Sequence, residues 1–408
     1  MILVGTWLVI QQLSISALEN VNRMLRSHIA SASLATPDEA ASPAQTAAPD
    51  RIARHMEPLD WKNLVGPLAE MQRSGGIGDM RVIVHLQQRL QMMTQEEIIA
   101  ALDEIAALEL PAPARVMLER ILLLPLIQKN PGLALTRFID RLADHDGMLV
   151  GQLADALREW AKQDAGLAGA WLDQQFAAGK FDTKALDGRS PPRMLFEGSL
   201  IGVLLASNPA AAARRAGALP EDQRGDVLGT YALNSIKQEN LAALAKLVRS
   251  KIPAHDQTRV FALQTTQWVA QGGYAQVADC LTRIKATPAE RLACVEQAVA
   301  STILPNDKPV TREDLDTMRE WVGTQMPNAI DNITGKALCA AAMMGTRKLD
   351  LAAAADLAVH YSQANGNDDV LVALVESWAV RSNKEQARSL AGKIADEARR
   401  AEILKRLE

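Results

Sequence analysis

From about Leu59 to the carboxyl terminus, apolar residues recur at helical spacing in runs of roughly 10 to 20 residues, broken by short polar stretches. Nowhere do they alternate over a strand's length. The pattern predicts an all-α body. Several helix starts are marked. Thr94 stands three positions before Glu97, ahead of Ile98, Ile99, Leu102 and Ile105, and Thr311 stands three before Asp314, ahead of Leu315 and Met318. At that spacing a hydroxyl and a carboxylate satisfy each other's orphan backbone N–H groups. Ser190-Pro191 reads as a cap followed by proline at the first helical position, where its missing N–H costs nothing.

A polar junction recurs. Asn130-Pro131-Gly132-Leu133-Ala134, Asp164-Ala165-Gly166-Leu167-Ala168, Asn208-Pro209-Ala210-Ala211-Ala212 and Asn383-Lys384-Glu385-Gln386-Ala387 each follow an apolar helical run closely, and the leading Asn or Asp is a good cap for a new helix. So short a connection predicts antiparallel helical hairpins. Tryptophans mark the same place: Trp160, Trp268, Trp321 and Trp378 end first helices, and Ala168, Ala275, Ala329 and Ala387 open second ones, seven to nine residues later. A large ring against a small partner residue permits close helix approach, so the four tryptophans are read as structural.

On these junctions the stretch from about Leu59 to Glu408 resembles the α-solenoid class, the tetratricopeptide and HEAT-like helical-repeat proteins, in degenerate form. The first two junctions lie 34 residues apart, as in a tetratricopeptide repeat, but Asp164 to Asn208 is 44 and the later Trp spacings are 53 and 57, so the regular consensus fails. The resemblance implies an irregular stack of antiparallel hairpins whose concave surface receives a protein or peptide. As a whole the chain is also similar to uncharacterised bacterial proteins that carry a membrane anchor, a linker and helical hairpins, a likeness that implies no activity.

Three segments follow: residues 1–30 as an apolar amino-terminal helix, 31–50 as a linker, and 51–408 as the helical-repeat body. Met1 to Leu18 is uncharged, with Ile2, Leu3, Val4, Trp7, Leu8, Val9 and Ile10 interrupted by Gln11 and Gln12. A membrane core of ~30 Å needs ~20 apolar residues, so the segment is of marginal spanning length and lacks the basic start of a signal peptide. Uncleaved anchor, secretory signal and amphipathic terminal helix all remain open. Arg23, Arg26 and His28 on its carboxyl side favour a cytoplasmic body. The Ala/Ser/Pro-rich linker that follows, built to hold a soluble body off a bilayer, favours a periplasmic one, the orientation expected here.

Composition narrows the partners. The chain has 408 residues, 48% hydrophobic but only 4% aromatic, with 44 basic against 48 acidic residues and a net charge of -4. That balance is too mild for a polyanionic partner. Basic clusters at Arg214-Arg215 and at Lys246, Arg249 and Lys251 lack interleaved aromatics for base stacking, so no nucleic acid is expected. Cys280, Cys294 and Cys339 form neither a disulfide framework nor a zinc spacing. The six histidines show no ligand spacing, Ser74 to Asp79 is no phosphate loop, and no Gly-x-Ser-x-Gly elbow occurs. No cofactor or metal is expected.

Chemistry concentrates in the connector from Lys180 to Glu197. Phe181 offers an apolar anchor, Asp187-Gly188 a turn, Arg189 a multidentate donor for a partner's carboxylate or phosphate, and Arg193 and Glu197 an i,i+4 pair. These five, Phe181, Asp187, Arg189, Arg193 and Glu197, are the candidate partner-binding residues. The expected function is a non-enzymatic interaction scaffold, tethered to a membrane. The alternative is a hydrolase or lyase using the connector's carboxylates, which requires Asp187 and Glu197 to converge in one pocket. A nucleic-acid-binding repeat ranks third.

Overall fold

The computed structural model describes residues 59–66, 86, 89–144, 147–183, 185, 187–303, 309–343, 349–381 and 384–407. The expected amino-terminal helix and linker, residues 1–50, lie outside the described residues, as does the junction residue Asn383. No helix among the described residues is long and apolar enough to cross a membrane.

From Gln95 onward the described residues form seventeen α-helices and no strand. In chain order they are α1 (Gln95–Ala107), α2 (Ala112–Lys129), α3 (Pro131–Phe138), α4 (Gly147–Gln163), α5 (Ala165–Ala177), α6 (Pro191–Ser207), α7 (Pro209–Ala218), α8 (Glu221–Asp226) and α9 (Leu241–Lys251). They continue with α10 (Ala254–Arg283), α11 (Pro288–Ile303), α12 (Arg312–Gln325), α13 (Ile330–Met343), α14 (Leu351–Asn365), α15 (Asp369–Arg381), α16 (Lys384–Ala391) and α17 (Glu397–Arg406).

The polar junctions work through single residues. Asn130, Asp164 and Asn208 each leave the helical conformation with φ near -150° and ψ of 80° to 95°. The backbone N–H of each still donates to the preceding helix, Asn130 to the Leu126 carbonyl, Asp164 to that of Trp160 and Asn208 to that of Leu204, at 2.7 to 2.8 Å. The side chain of the same residue accepts from the next helix: Leu133 N at 2.9 Å, Leu167 N at 2.8 Å and Ala211 N at 3.0 Å. One residue therefore closes one helix and caps the next, leaving few orphan groups at a sharp bend. The boxes at Thr94–Glu97 and Thr311–Asp314 are reciprocal.

The tryptophan sites differ from one another. Trp268 and Trp378 are buried, and the Trp378 indole N–H donates to Gln386. Trp160 is half-buried; its ring lies over Gly132 of α3 and 6.0 Å from that of Trp171. Trp321 is half-buried and stacks on Tyr274, centroids 4.3 Å apart. Between Trp268 and Ala275 the stretch labelled α10 is two helices meeting at a kink: Gly272 and Gly273 leave the helical conformation, and Gly273 takes φ 61° and ψ -150°, a conformation essentially reserved for glycine.

The main helix contacts join elements close in sequence, α2 with α4, α4 with α6, α7 with α9, α11 with α13 and α13 with α15, besides immediate neighbours. Helix α6 sits deepest, buried at every position from Phe196 to Leu205. Gly198 and Gly202, one turn apart, let it lie directly on the backbone of Tyr231 and Ala232 and on Ser235; a Cβ at Gly198 would come within 2.6 Å of the Tyr231 carbonyl carbon. Those residues belong to a widened helical turn, Val227–Tyr231, and its sequel. The turn's Leu228 carbonyl accepts from the buried Gln264 amide of α10 at 2.6 Å.

Candidate functional site

Helix α6 begins at the Ser190 cap, whose hydroxyl accepts from Arg193 N at 3.4 Å. From there Arg193, Glu197, Leu200 and Leu204 follow at intervals of four, three and four and so line one helix face. That face floors a cleft of about 580 Å³. One wall is α5, through Ala165, Gly166, Gly169, Asp173 and Phe176; the other is α7, through Ala211, Arg214, Arg215 and Ala218. The cleft exists because so many wall residues are Gly or Ala, which leave open the space between helices that larger side chains fill elsewhere.

Its charged centre is a buried pair. Arg215 folds back over α6, its Nε donating to Glu197 Oε2 at 2.5 Å and a terminal nitrogen reaching Glu197 Oε1 at 3.3 Å and Asp173 Oδ1 at 2.8 Å. The Glu197 and Arg215 side chains are 7% and 15% exposed, whereas that of Asp173 is 62% exposed. Burial pushes the Glu197 carboxyl above the usual range, and Arg215 opposes that shift without cancelling it. For Arg215, burial acts to lower the pKa, but Glu197 and Asp173 outweigh it and hold the guanidinium charged.

The sequence candidates divide. Arg193 and Glu197 line the cleft, although Glu197 pairs with Arg215 rather than with Arg193. The Arg193 guanidinium lies 4.6 Å from the Phe176 ring centroid. Phe181 is buried beneath, edge-on to Phe176 and Phe196 with centroids 4.9 Å away in each case, and so pins the connector under the floor. Asp187 is exposed, accepts from Arg189 N at 3.0 Å and is not among the lining residues. Arg189 spends its donors within the chain, on Asp226 at 2.8 Å and Asp222 at 3.1 Å, so it straps the connector to α8. Hydrogen bonding to Asp222, with the field of Asp226, raises its pKa.

Asp173, Phe176, Leu200, Leu204 and the glycines of α5 were not singled out as site residues from the sequence, and Arg214-Arg215 registered only as a basic cluster without base-stacking aromatics. A readable signal did exist. Glu197 lies eleven residues before Asn208 and Arg215 seven after it, so a fold-back at that cap brings opposite charges onto facing helices.

Cys280, Cys294 and Cys339 are buried, and burial pushes the Cys294 thiol up to about 12. Among the described residues no group of three or more His, Cys, Asp or Glu side chains could hold a metal ion. No protein-family model, curated protein or solved structure matches this chain.

Proposed function

We propose that this chain is a non-enzymatic interaction protein, a degenerate α-solenoid of stacked helical hairpins that receives a partner polypeptide in the groove between α5, α6 and α7. The observation that carries the reading is the groove between α5, α6 and α7, with small residues on both walls, the buried Leu200 and Leu204 beneath and the arginines Arg193, Arg214 and Arg215 in its lining. Packing of α2 on α4 and α4 on α6, and of α11 on α13 and α13 on α15, supports stacking of successive units. In the same reading Met1 to Leu18 tethers the body to a membrane, with the body on the periplasmic side.

The test is a photo-crosslinking amino acid at Ala211 on the groove wall, with Glu320, exposed on α12, as the control position. Irradiation of cells expressing the full chain should give a discrete adduct of higher mass from position 211 and none from 320. Equal labelling at both positions, or no polypeptide adduct at 211, would refute the reading.

One observation favours the rival hydrolase or lyase: Glu197 is a buried carboxyl of raised pKa in a cleft, as a general acid requires. Its second carboxylate is then Asp173 rather than Asp187, and both are bound to Arg215. Groove-dependent turnover lost in Glu197→Gln, without a polypeptide adduct, would decide for it.

A further inference from the structure

The groove is asymmetric, and its asymmetry specifies a ligand. Arg193 stands one turn before Glu197 on the floor, and Arg214 stands next to Arg215 on the α7 wall, so both line the cleft that holds the buried pair. Neither forms a salt bridge among the described residues, and both are exposed. Arg193 is held by Phe176, its guanidinium carbon standing 4.6 Å from the ring centroid, a contact that uses the face of the cation and none of its N–H donors. Three arginines thus meet two carboxylates, and both carboxylates are already bound by Arg215. Toward the other end the lining is Leu200, Leu204, Gly166, Gly169 and Ala211, without a charged side chain.

From Arg193 to Ser207 the floor rises for about 21 Å, at about 1.5 Å per residue. An extended chain, at about 3.3 Å per residue, spans that length in about six residues.

We infer that the groove selects an acidic peptide segment of a partner protein: Asp or Glu side chains engage Arg193 and Arg214, and small apolar residues run on between the glycines of α5 and Ala211. The inference rests on the proposed polypeptide-binding role and adds the chemistry that role must recognise. The acidic end is fixed by the two arginines. Peptide without acid at that end leaves two exposed cations unused and gains only the apolar half of the groove.

The experiment selects a random seven-residue display library on the immobilised full chain and measures recovered peptides, fluorescein-labelled, by anisotropy. Four variants accompany the parent: Arg193→Gln with Arg214→Gln, Gly169→Leu, Ala211→Phe, and Lys405→Gln on α17 as a control for bulk charge. A Cβ at Gly169 meets only Leu200 Cδ2, at 3.7 Å, so leucine there extends into the groove, and circular dichroism verifies the fold of each variant. Expected are peptides with Asp or Glu clustered at one end. Their affinity should fall at least tenfold in the double arginine variant and with rising salt, be lost in Gly169→Leu and Ala211→Phe, and stay unchanged in Lys405→Gln. Recovered peptides without acidic residues, or indifferent to the arginine substitutions yet lost on groove filling, would overturn the acidic selection while sparing the groove. If no recovered peptide responds to groove filling, the polypeptide-binding role itself falls, and this inference with it.

Discussion

Truncating Arg215 to alanine separates a buried ion pair from a surface one. Its contact with Asp173 is largely solvated, the aspartate being 62% exposed, and pairs of that kind contribute about 0 to 1 kcal/mol. Its contact with Glu197 is another matter: the carboxylate is 7% exposed, and within the groove Arg215 is the group that hydrogen-bonds both of its oxygens. Removing one partner of such a pair strands a buried charge, at a cost of about 3 to 5 kcal/mol, whereas replacing both partners by apolar residues of similar size is near neutral. Arg215→Ala should therefore lower the opening free energy of α6 and α7, read by amide hydrogen exchange, by about that amount at pH 7, and Glu197→Leu with Arg215→Met should restore most of it.

The pH dependence carries its own sign. Glu197 has a folded pKa above its ordinary 4.5, so between the unfolded and folded values the native state binds more protons and stability falls as pH rises. Loss of Arg215 raises the folded value further, because the charge that opposed burial is gone. The penalty of Arg215→Ala should thus shrink as pH is lowered from 7 to below 4.5. A penalty under about 1 kcal/mol at pH 7, or one that does not change with pH, would show the pair to be solvated and refute the argument.

Other outcomes follow from the packing. Gly202→Ala should cost at least about 1 to 3 kcal/mol by driving a methyl into Ser235, and a destabilisation no larger than that of an exposed Ala substitution would disprove the close approach. Gln264→Leu should cost about 1 to 3 kcal/mol, measured by urea denaturation, because the Leu228 carbonyl of the widened turn is left unsatisfied. Trp268→Ala should cost about 3 to 5 kcal/mol, with loss of exchange protection confined to α10 and the helices it touches; a uniform loss along the chain would contradict unit-by-unit stacking. Arg189→Ala should release the connector from α8, seen as faster exchange at residues 187–190 and 221–226 with little change in α13 to α17.

The helical body was legible because its signals are local. Caps at Thr94, Asn130, Asp164, Ser190, Asn208 and Thr311 need only a side-chain oxygen three residues from the right N–H, and the structure uses all six. The site was half legible. Arg193 and Glu197 were singled out as a pair within one helix, at a spacing where ion pairs are common, but a rival four residues away on the chain loses to one that arrives from the facing helix with two donors and a fixed guanidinium plane. For Arg189 the sequence could not show which acids would meet it: a loop arginine offers donors to whatever acid is nearest, and here Asp222 and Asp226 sit on the first helix after α7.

The groove lies where it does because of the caps. A one-residue turn such as Asn208 holds two helices in fixed register, so the residues that meet across it are determined by counting back and forward from the cap. At Asn208 that register sets small residues, Ala211 and Ala218, on the α7 wall of the groove and Arg215 against Glu197. Helix α5, capped at Asp164, presents Gly166 and Gly169 to the same floor. The buried Arg215–Glu197 pair stands between α6 and α7, and the Gly and Ala residues of the walls do not fill the space beside it. A trough with one charged end is then a consequence of the caps and the small residues together. Enlarging a wall residue should remove the trough without unfolding the helices that form it.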